Sequence, residues 1–472
     1  MRGIIRRVKH KLVPSEVPST GTQEFFAGRA FEESLRFRAV DLLPESSVVF
    51  EGASGGSEQL RIVSDHVPAA PFLTVELDGF DPSQQGEYRW GLVAEGIMIL
   101  AEYNSRTGRA ALIAGSKGEP LAGCKLKTAS APLSLTITEN RLVLWQGKGV
   151  AAEVVLAVTL EAEEYLDLRG KELLNGLRFA SSGPSHRLRA GYFGYLGLRD
   201  PQFIRTRAGE ILHREGRAWL TMSCAGPGFF PCAHWAIFSL NPEHPEDLRL
   251  ESQLFFERDG LLLGDHAGSI LVLENELLVT VSSWGDFAEN AHICWTRSAD
   301  NLWSGVHVLA TERLELPTDF DSWDPSLLYY QDRWWLGFVE CLGYHPRFDF
   351  RPVLAMAEPE QPFGGGFERV GADLMHHQTE GTLFSFLDGE PVLLASDGDA
   401  RDYPIYNLEM FRFSQLEAPY KSNIPHPLIY QGQGEPWMLT FDGTPFHERD
   451  FGYGTHGDVL IYRLAASTDG LR

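Results

Sequence analysis

Short apolar runs dominate the chain. Segments rich in Val, Ile, Leu, Phe and Trp alternate with turn residues such as Asp-Gly, Gly-Glu and Asn-Pro. Runs of this kind, closed by turn formers, predict β-strands. Apolar spacing at the helical period is confined to Glu161–Leu174 (EAEEYLDLRGKELL), and Gly170 interrupts it. The chain therefore reads as all-β. Up to about residue 190 the predicted strands are Phe72–Leu77, Tyr88–Val93, Ile97–Tyr103, Ala110–Ala114, Leu133–Thr138 and Leu142–Gln146. Their spacing is that of a β-sandwich. The polar stretch Ser181–Gly191 (SSGPSHRLRAG) marks a boundary. Residues 1–190 are thus predicted as a β-sandwich accessory domain and 191–472 as the catalytic domain.

Beyond that boundary one unit recurs. Strand pairs begin at residues 200, 265, 324, 380 and 426. Each is followed by a third strand: HWAIFSL from His234, HICWTRS from His292, PVLAMAE from Pro352, YNLEMFRF from Tyr406 and DVLIYRL from Asp458. The third-strand starts lie 58, 60, 54 and 52 residues apart. Five copies of an antiparallel unit at this period predict a five-bladed β-propeller. Two unrelated sandwiches, the competing reading, would have no reason to keep the period.

Charge narrows the ligand. There are 64 Asp and Glu against 41 Lys and Arg, a formal net charge of -23. Nucleic acid is a poor partner for such a chain, because affinity for it comes from neutralising phosphates. No apolar run approaches the roughly 18 residues of a membrane span. The start, MRGIIRRVKHKLVPSE, is basic but lacks the apolar stretch of an export signal, which predicts a cytoplasmic protein. The five cysteines fit no zinc spacing, and Cys224 and Cys232 are expected as a buried reduced pair.

The innermost strands of a propeller start at one mouth of its channel. The residues at those starts are Asp200, Asp265 or His266, Asp324, Glu380 and His426. Any single Asp before Pro is an ordinary turn starter. Acids or His at every start are a different matter. Carboxylates gathered in a polar pocket suit glycoside hydrolysis: one acid protonates the leaving oxygen while another carboxylate activates water or attacks the sugar. A third charge raises the pKa of the acid. Trp323 and Trp284 lie beside these starts and offer indole faces to a sugar ring. Arg199, His234, Arg401 and His447 are further hydroxyl-binding candidates, and Asp265 is expected to be structural.

The motifs LRDPQF, SWDPSLLY and QTEGTLF, two blades and then one blade apart, resemble the pattern of the five-bladed propeller glycoside hydrolases of family 43, the arabinanase, arabinofuranosidase and β-xylosidase group. The resemblance covers residues 192–463. It implies Asp200 as general base, Asp324 as modulator of pKa and orientation, and Glu380 as general acid, with inversion at the anomeric carbon. It implies a pentoside or furanoside, free or in an oligosaccharide, as substrate, and His426 beneath the sugar, with His456 as competitor. No cofactor is required, although a structural calcium or other ion would fit the channel. The segment YRWGLVAEGIMILAEYNSRTGRAALIA resembles lectin-like, concanavalin-type sandwiches. Two departures stand out. Thr382 replaces the proline of the family's E-G-P step. Glu340-Cys341, which is similar to an invertase motif, falls late in a second strand, away from the channel mouth. A non-hydrolytic carbohydrate-binding protein, or a propeller recruited to another reaction, is the alternative.

Overall fold

The computed structural model describes residues 26–79, 84–126, 132–161, 166–284, 290–359, 363, 365–432 and 434–466. The basic start of the chain and residues 162–165 of the expected helix lie outside them. Of that helix, the structure has one short piece, Lys171–Gly176. It begins only after Gly170, so the glycine marks where the helix starts and does not merely interrupt it.

Two six-stranded antiparallel sheets form the sandwich. One runs in the order Glu153–Thr159, Arg141–Gln146, Leu133–Thr138, Phe72–Asp78, His186–Tyr192, Val48–Ser54. The other runs Ser57–Ile62, Arg178–Gly183, Glu87–Ala94, Ile97–Asn104, Arg109–Gly115, Pro120–Lys125. Val75, Trp90, Leu135 and Phe179 fill the space between them.

Five further sheets follow in chain order as blades 1 to 5. Their innermost strands are Leu198–Phe203, His266–Val272, Asp321–Tyr330, Thr379–Leu387 and Leu428–Tyr430. The third strands start at His234, His292, Asp349, Tyr403 and Asp458, at or within a turn of the predicted positions. Blade strands such as Leu277–Ser283 and His234–Leu240 are buried at every residue. A blade packs against a neighbour on each face, so its strands read as continuous apolar runs where a one-sided sheet would alternate.

The sandwich expectation for residues 1–190 needs one correction. Phe31–Arg38 leaves that domain and pairs antiparallel with Asp458–Leu464 as the outer strand of blade 5. The two ends of the propeller are thereby sewn into one sheet, which removes an exposed edge. Phe31 enters the core between blades, and Arg36 Nε donates to Asp458 Oδ2 at 2.8 Å, with Arg38 on the same carboxylate. Nothing in the apolar pattern of Phe31–Arg38 (FEESLRFR) distinguishes a strand of one domain from a strand of the other.

Phe31 is 2% exposed. Phe31→Ala is expected to cost about 3 kcal/mol, the usual range for a buried phenylalanine. Denaturant unfolding followed through blade-5 Trp437 would show it. An unchanged midpoint would mean that the strand does not close the propeller.

Candidate active site

Four of the five innermost strands carry a bulge at the same register, at the mouth of the channel. The pairing slips between Arg199 and Gln202, His266 and Gly268, Trp323 and Ser326, and Glu380 and Leu383. In each bulge one residue takes a left-handed backbone: Asp200 (φ 53°), Ala267 (φ 56°), Asp324 (φ 53°) and Gly381 (φ 73°). Asp tolerates this conformation better than most residues, and the following proline narrows its alternatives. The register therefore differs from the expected one. Asp200 and Asp324 are true equivalents, whereas Glu380 stands one residue earlier, level with Arg199, His266 and Trp323.

Hydroxyls pin the bulges from blade to blade. Ser223 Oγ accepts the Ala267 N–H at 3.0 Å, and Ser282 Oγ accepts the Asp324 N–H at 2.9 Å. The equivalent position in blade 3 is Val339, which pairs with Trp323 as those serines pair with Arg199 and His266. With no hydroxyl there, the Gly381 N–H donates to Asp324 Oδ2 at 3.0 Å. Thr382 Oγ1 then donates to the Asp324 carbonyl at 2.5 Å. The threonine that departs from the family pattern thus fixes the aspartate it follows in space. Gly381 cannot be replaced: a Cβ would sit 2.3 Å from His426 Cδ2.

His426 joins the carboxylates. Its Nδ1 lies 3.6 Å from Asp200 Oδ1 and its Nε2 3.6 Å from Asp324 Oδ2. Glu380 Oε2 accepts the indole N–H of Trp323 at 3.1 Å. Burial raises the Asp324 carboxyl, opposed by His426 and reinforced by Glu380 and Asp200. Burial likewise pushes Glu380 up to about 8; Trp323 opposes the rise and the Asp200 charge adds to it. Two neighbouring carboxyls are thus raised by burial in one pocket, a perturbation that clusters at functional sites.

Asp200, Asp324, Glu380 and His426 stand at the base of a cavity of about 640 Å³, and Arg199, Trp284, Trp323 and His456 line it as well. Trp284 and Trp323 meet at 5.4 Å between centroids. Trp323 is 4% exposed and its N–H is committed to Glu380, so it positions the acid and presents little free face. The other candidates lie elsewhere. Asp265 is locked on Arg258 at 2.5 Å. His234 is sealed between the domains against Phe72 and Phe255, where burial pushes it down to about 3. Arg401 holds the carbonyls of Tyr420 and Lys421. Glu340 is clasped by Arg351 and Arg369 inside blade 3. All five cysteines are free, with Cys224 and Cys232 buried. Among the described residues, no group of three or more His, Cys, Asp or Glu is spaced to hold a metal ion.

The sequence reading missed much of the lining, including Phe229, Phe230, Tyr344, Arg347, Phe348 and Tyr453. These come from the connections between second and third strands, which open on the same face as the starts of the inner strands. The aromatic content of GPGFFPC, GYHPRFDF and DFGYGTHG was the available signal. Among the described residues the sandwich supplies none of the lining, yet it buttresses one of these connections. Trp145 packs on Phe451 at 5.4 Å and on His447 at 5.9 Å, and His447 Nε2 donates to the Ala152 carbonyl at 2.7 Å. Gly454 in that connection accepts from Arg199 Nη1 at 2.9 Å.

Among solved structures the chain is similar to the GH43_1 enzyme from Xanthomonas citri complexed with xylose, at 13% identity over 58% of this chain and 89% of that one, with a TM-score of 0.40. It is similar to inulosucrase from Halalkalicoccus jeotgali bound to kestose, at 15% identity over 58% and 86%, with a TM-score of 0.42. A third is the GH32 beta-fructofuranosidase BmSUC1 of Bombyx mori, at 15% identity over 57% and 60%, with a TM-score of 0.36. No family model and no curated protein matches the chain. Likeness of this degree leaves function to be argued from the site itself.

Glu380 supplies a test that needs no substrate. An unfolded glutamate loses its proton near pH 4.5, and the folded one keeps it to about 8. Between those values folding takes up a proton, so wild-type stability falls as pH rises. Glu380→Gln has no proton to lose. Its stability should gain on wild type across that window by about 1–2 kcal/mol, discounted because the side chain keeps a face towards the cavity. A constant difference from pH 5 to 8 would show that the carboxyl is not raised.

Proposed function

We propose that the protein is an O-glycoside hydrolase acting with inversion. The observation that carries this reading is the grouping of Asp200, Asp324 and Glu380, from blades 1, 3 and 4, at the base of one aromatic-walled cavity. Glu380, kept protonated by burial, delivers its proton to the leaving oxygen. Asp200 takes a proton from the water that attacks the opposite face of the sugar. Asp324 touches neither; it orients His426 and, through Gly381, the backbone beside Glu380. The resemblance makes pentosides and furanosides the first substrates to try, alone or at the end of an oligosaccharide.

Two leaving groups separate the roles. Nitrophenolate departs without help, whereas a sugar alcohol needs a proton. Glu380→Gln should lose at least about 100-fold in kcat on a disaccharide and far less on the nitrophenyl glycoside of the same glycone. Asp200→Asn should lose both. The α- or β-configuration of the first-released sugar, read by proton NMR, reports inversion. Wild-type kcat on the disaccharide should fall above about pH 8 as Glu380 loses its proton. Equal losses on both leaving groups in Glu380→Gln would remove it from the role of acid.

The sandwich buttress is tested with the same assay. Trp145→Ala removes the packing behind Phe451 and His447, a contact outside the cavity. It should lower kcat/KM by roughly tenfold through misplacement of the Tyr453–His456 segment. Unchanged kinetics in a folded variant would make the sandwich a passenger to the chemistry.

A further inference from the structure

One wall of the cavity, built by blades 1 and 2, carries donors that the protein leaves unsatisfied. Arg199 is 2% exposed. Its Nη1 is on the Gly454 carbonyl, its guanidinium lies 5.8 Å from the Phe230 ring centre, and its Nε is 3.5 Å from Asp200 Oδ2. Its Nη2 is buried and has no hydrogen-bond partner among the described residues. Trp284 Nε1, on the same wall, is also buried without one among the described residues. Ser223 Oγ already accepts the Ala267 N–H, so its own proton is free for His266 Nδ1 at 3.3 Å. The His266 and Trp284 rings stack at 6.2 Å with 17° between their planes.

Other buried arginines of this protein end on complementary oxygen. Arg258 grips both oxygens of Asp265, and Arg205 holds the carbonyls of Gly209 and Phe384. Arg199 has one carboxylate neighbour, Asp200, beyond hydrogen-bond distance and committed to water in the reading above. A buried N–H of a cation is costly without an acceptor, and a charged acceptor offsets that cost best.

We propose that this wall receives a carboxylate borne by the sugar ring, with Arg199 Nη2 donating to it and Trp284 and His266 flanking, so that the substrates are uronic acid glycosides. The inference rests on the glycosidase reading for the reaction, and it moves the substrate class away from the neutral pentosides that the resemblance implies. A ring hydroxyl would satisfy one N–H and leave Asp200, at 3.5 Å from Nε, as the guanidinium's sole charged neighbour among the described residues. A carboxylate supplies two acceptor oxygens and the opposite charge. It would also disfavour ionisation of Glu380, as a proton donor requires.

The test uses 4-nitrophenyl glycosides that differ only at C6: glucuronide against glucoside, and galacturonide against galactoside, in both anomers. Wild type should prefer a uronide by at least about tenfold in kcat/KM. Arg199→Met should bring that ratio to about one. Trp284→Phe, which keeps the ring and deletes the N–H, should lower it part of the way and covers the case in which Arg199→Met does not fold. Preference for the neutral partner, or a uronide preference that survives in folded Arg199→Met, overturns the inference. Calorimetry with free glucuronate, galacturonate, glucose and galactose runs alongside. Uronate binding that Arg199→Met abolishes, without turnover of any glycoside, would sink the glycosidase reading and leave the carboxylate wall standing. Absence of uronate binding in wild type, with or without turnover of neutral sugars, overturns the wall.

Discussion

The site depends on a backbone constraint: a bulge, repeated at one register of the innermost strands, that forces a residue into the left-handed region where the channel opens. A straight strand would send alternate side chains into the neighbouring blades. The bulge turns one side chain out of that alternation and towards the mouth. Two of the four bulges spend this turn on Asp, one on Ala and one on Gly. The Gly bulge is the informative one. It gives up its own side chain so that His426 can approach, and the residue before it, Glu380, carries the acid. The strain of two left-handed aspartates is concentrated where chemistry would use it.

Satisfying the bulges then sets the electrostatics. Serines of blades 1 and 2 take the N–H groups of the next blade's bulge, so neither N–H draws on a carboxylate. Val339 breaks the series, and the Gly381 N–H falls to the Asp324 carboxylate. Asp324 is thereby tied to the strand that holds Glu380, and it faces His426 as well. Desolvation raises both the Asp324 and the Glu380 carboxyl. A valine in place of a serine is thus the smallest sequence difference that couples the middle aspartate to the acid.

Much of this was legible in the chain because β-structure writes itself locally. The strands of the sandwich, the period of the third strands and the three carboxylates at blade starts all follow from apolar runs and turn residues. The register did not. A bulge is a property of two paired strands, and the text around Glu380 looks like that around Asp324 until the pairing shows Glu380 one step early. Phe31–Arg38 failed for a related reason. Its partner lies more than four hundred residues away, and a polar-faced outer strand has the same composition in either domain. His234 sat at a plausible place in the repeat, yet it is consumed by packing against the sandwich, which no single-blade pattern can foresee. Arg199 was singled out from its place beside Asp200, but only the structure shows that its Nη2 lacks a partner among the described residues.

The two domains are linked by the same logic. A propeller positions its inner strands well and its connections poorly, because the connections are stabilised by little beyond their own turns. Here the connection carrying Tyr453 and His456 also holds the carbonyl that takes Arg199 Nη1. A Cβ on Gly454 would lie 2.1 Å from the Gly228 carbonyl, so this connection interlocks with the one bearing Phe229 and Phe230. Packing Trp145 and Ala152 behind the pair places rigid sandwich strands under two walls of the cavity at once. The sandwich therefore shapes the pocket from behind: among the described residues the lining side chains belong to the propeller, and the sandwich holds the connections that carry them.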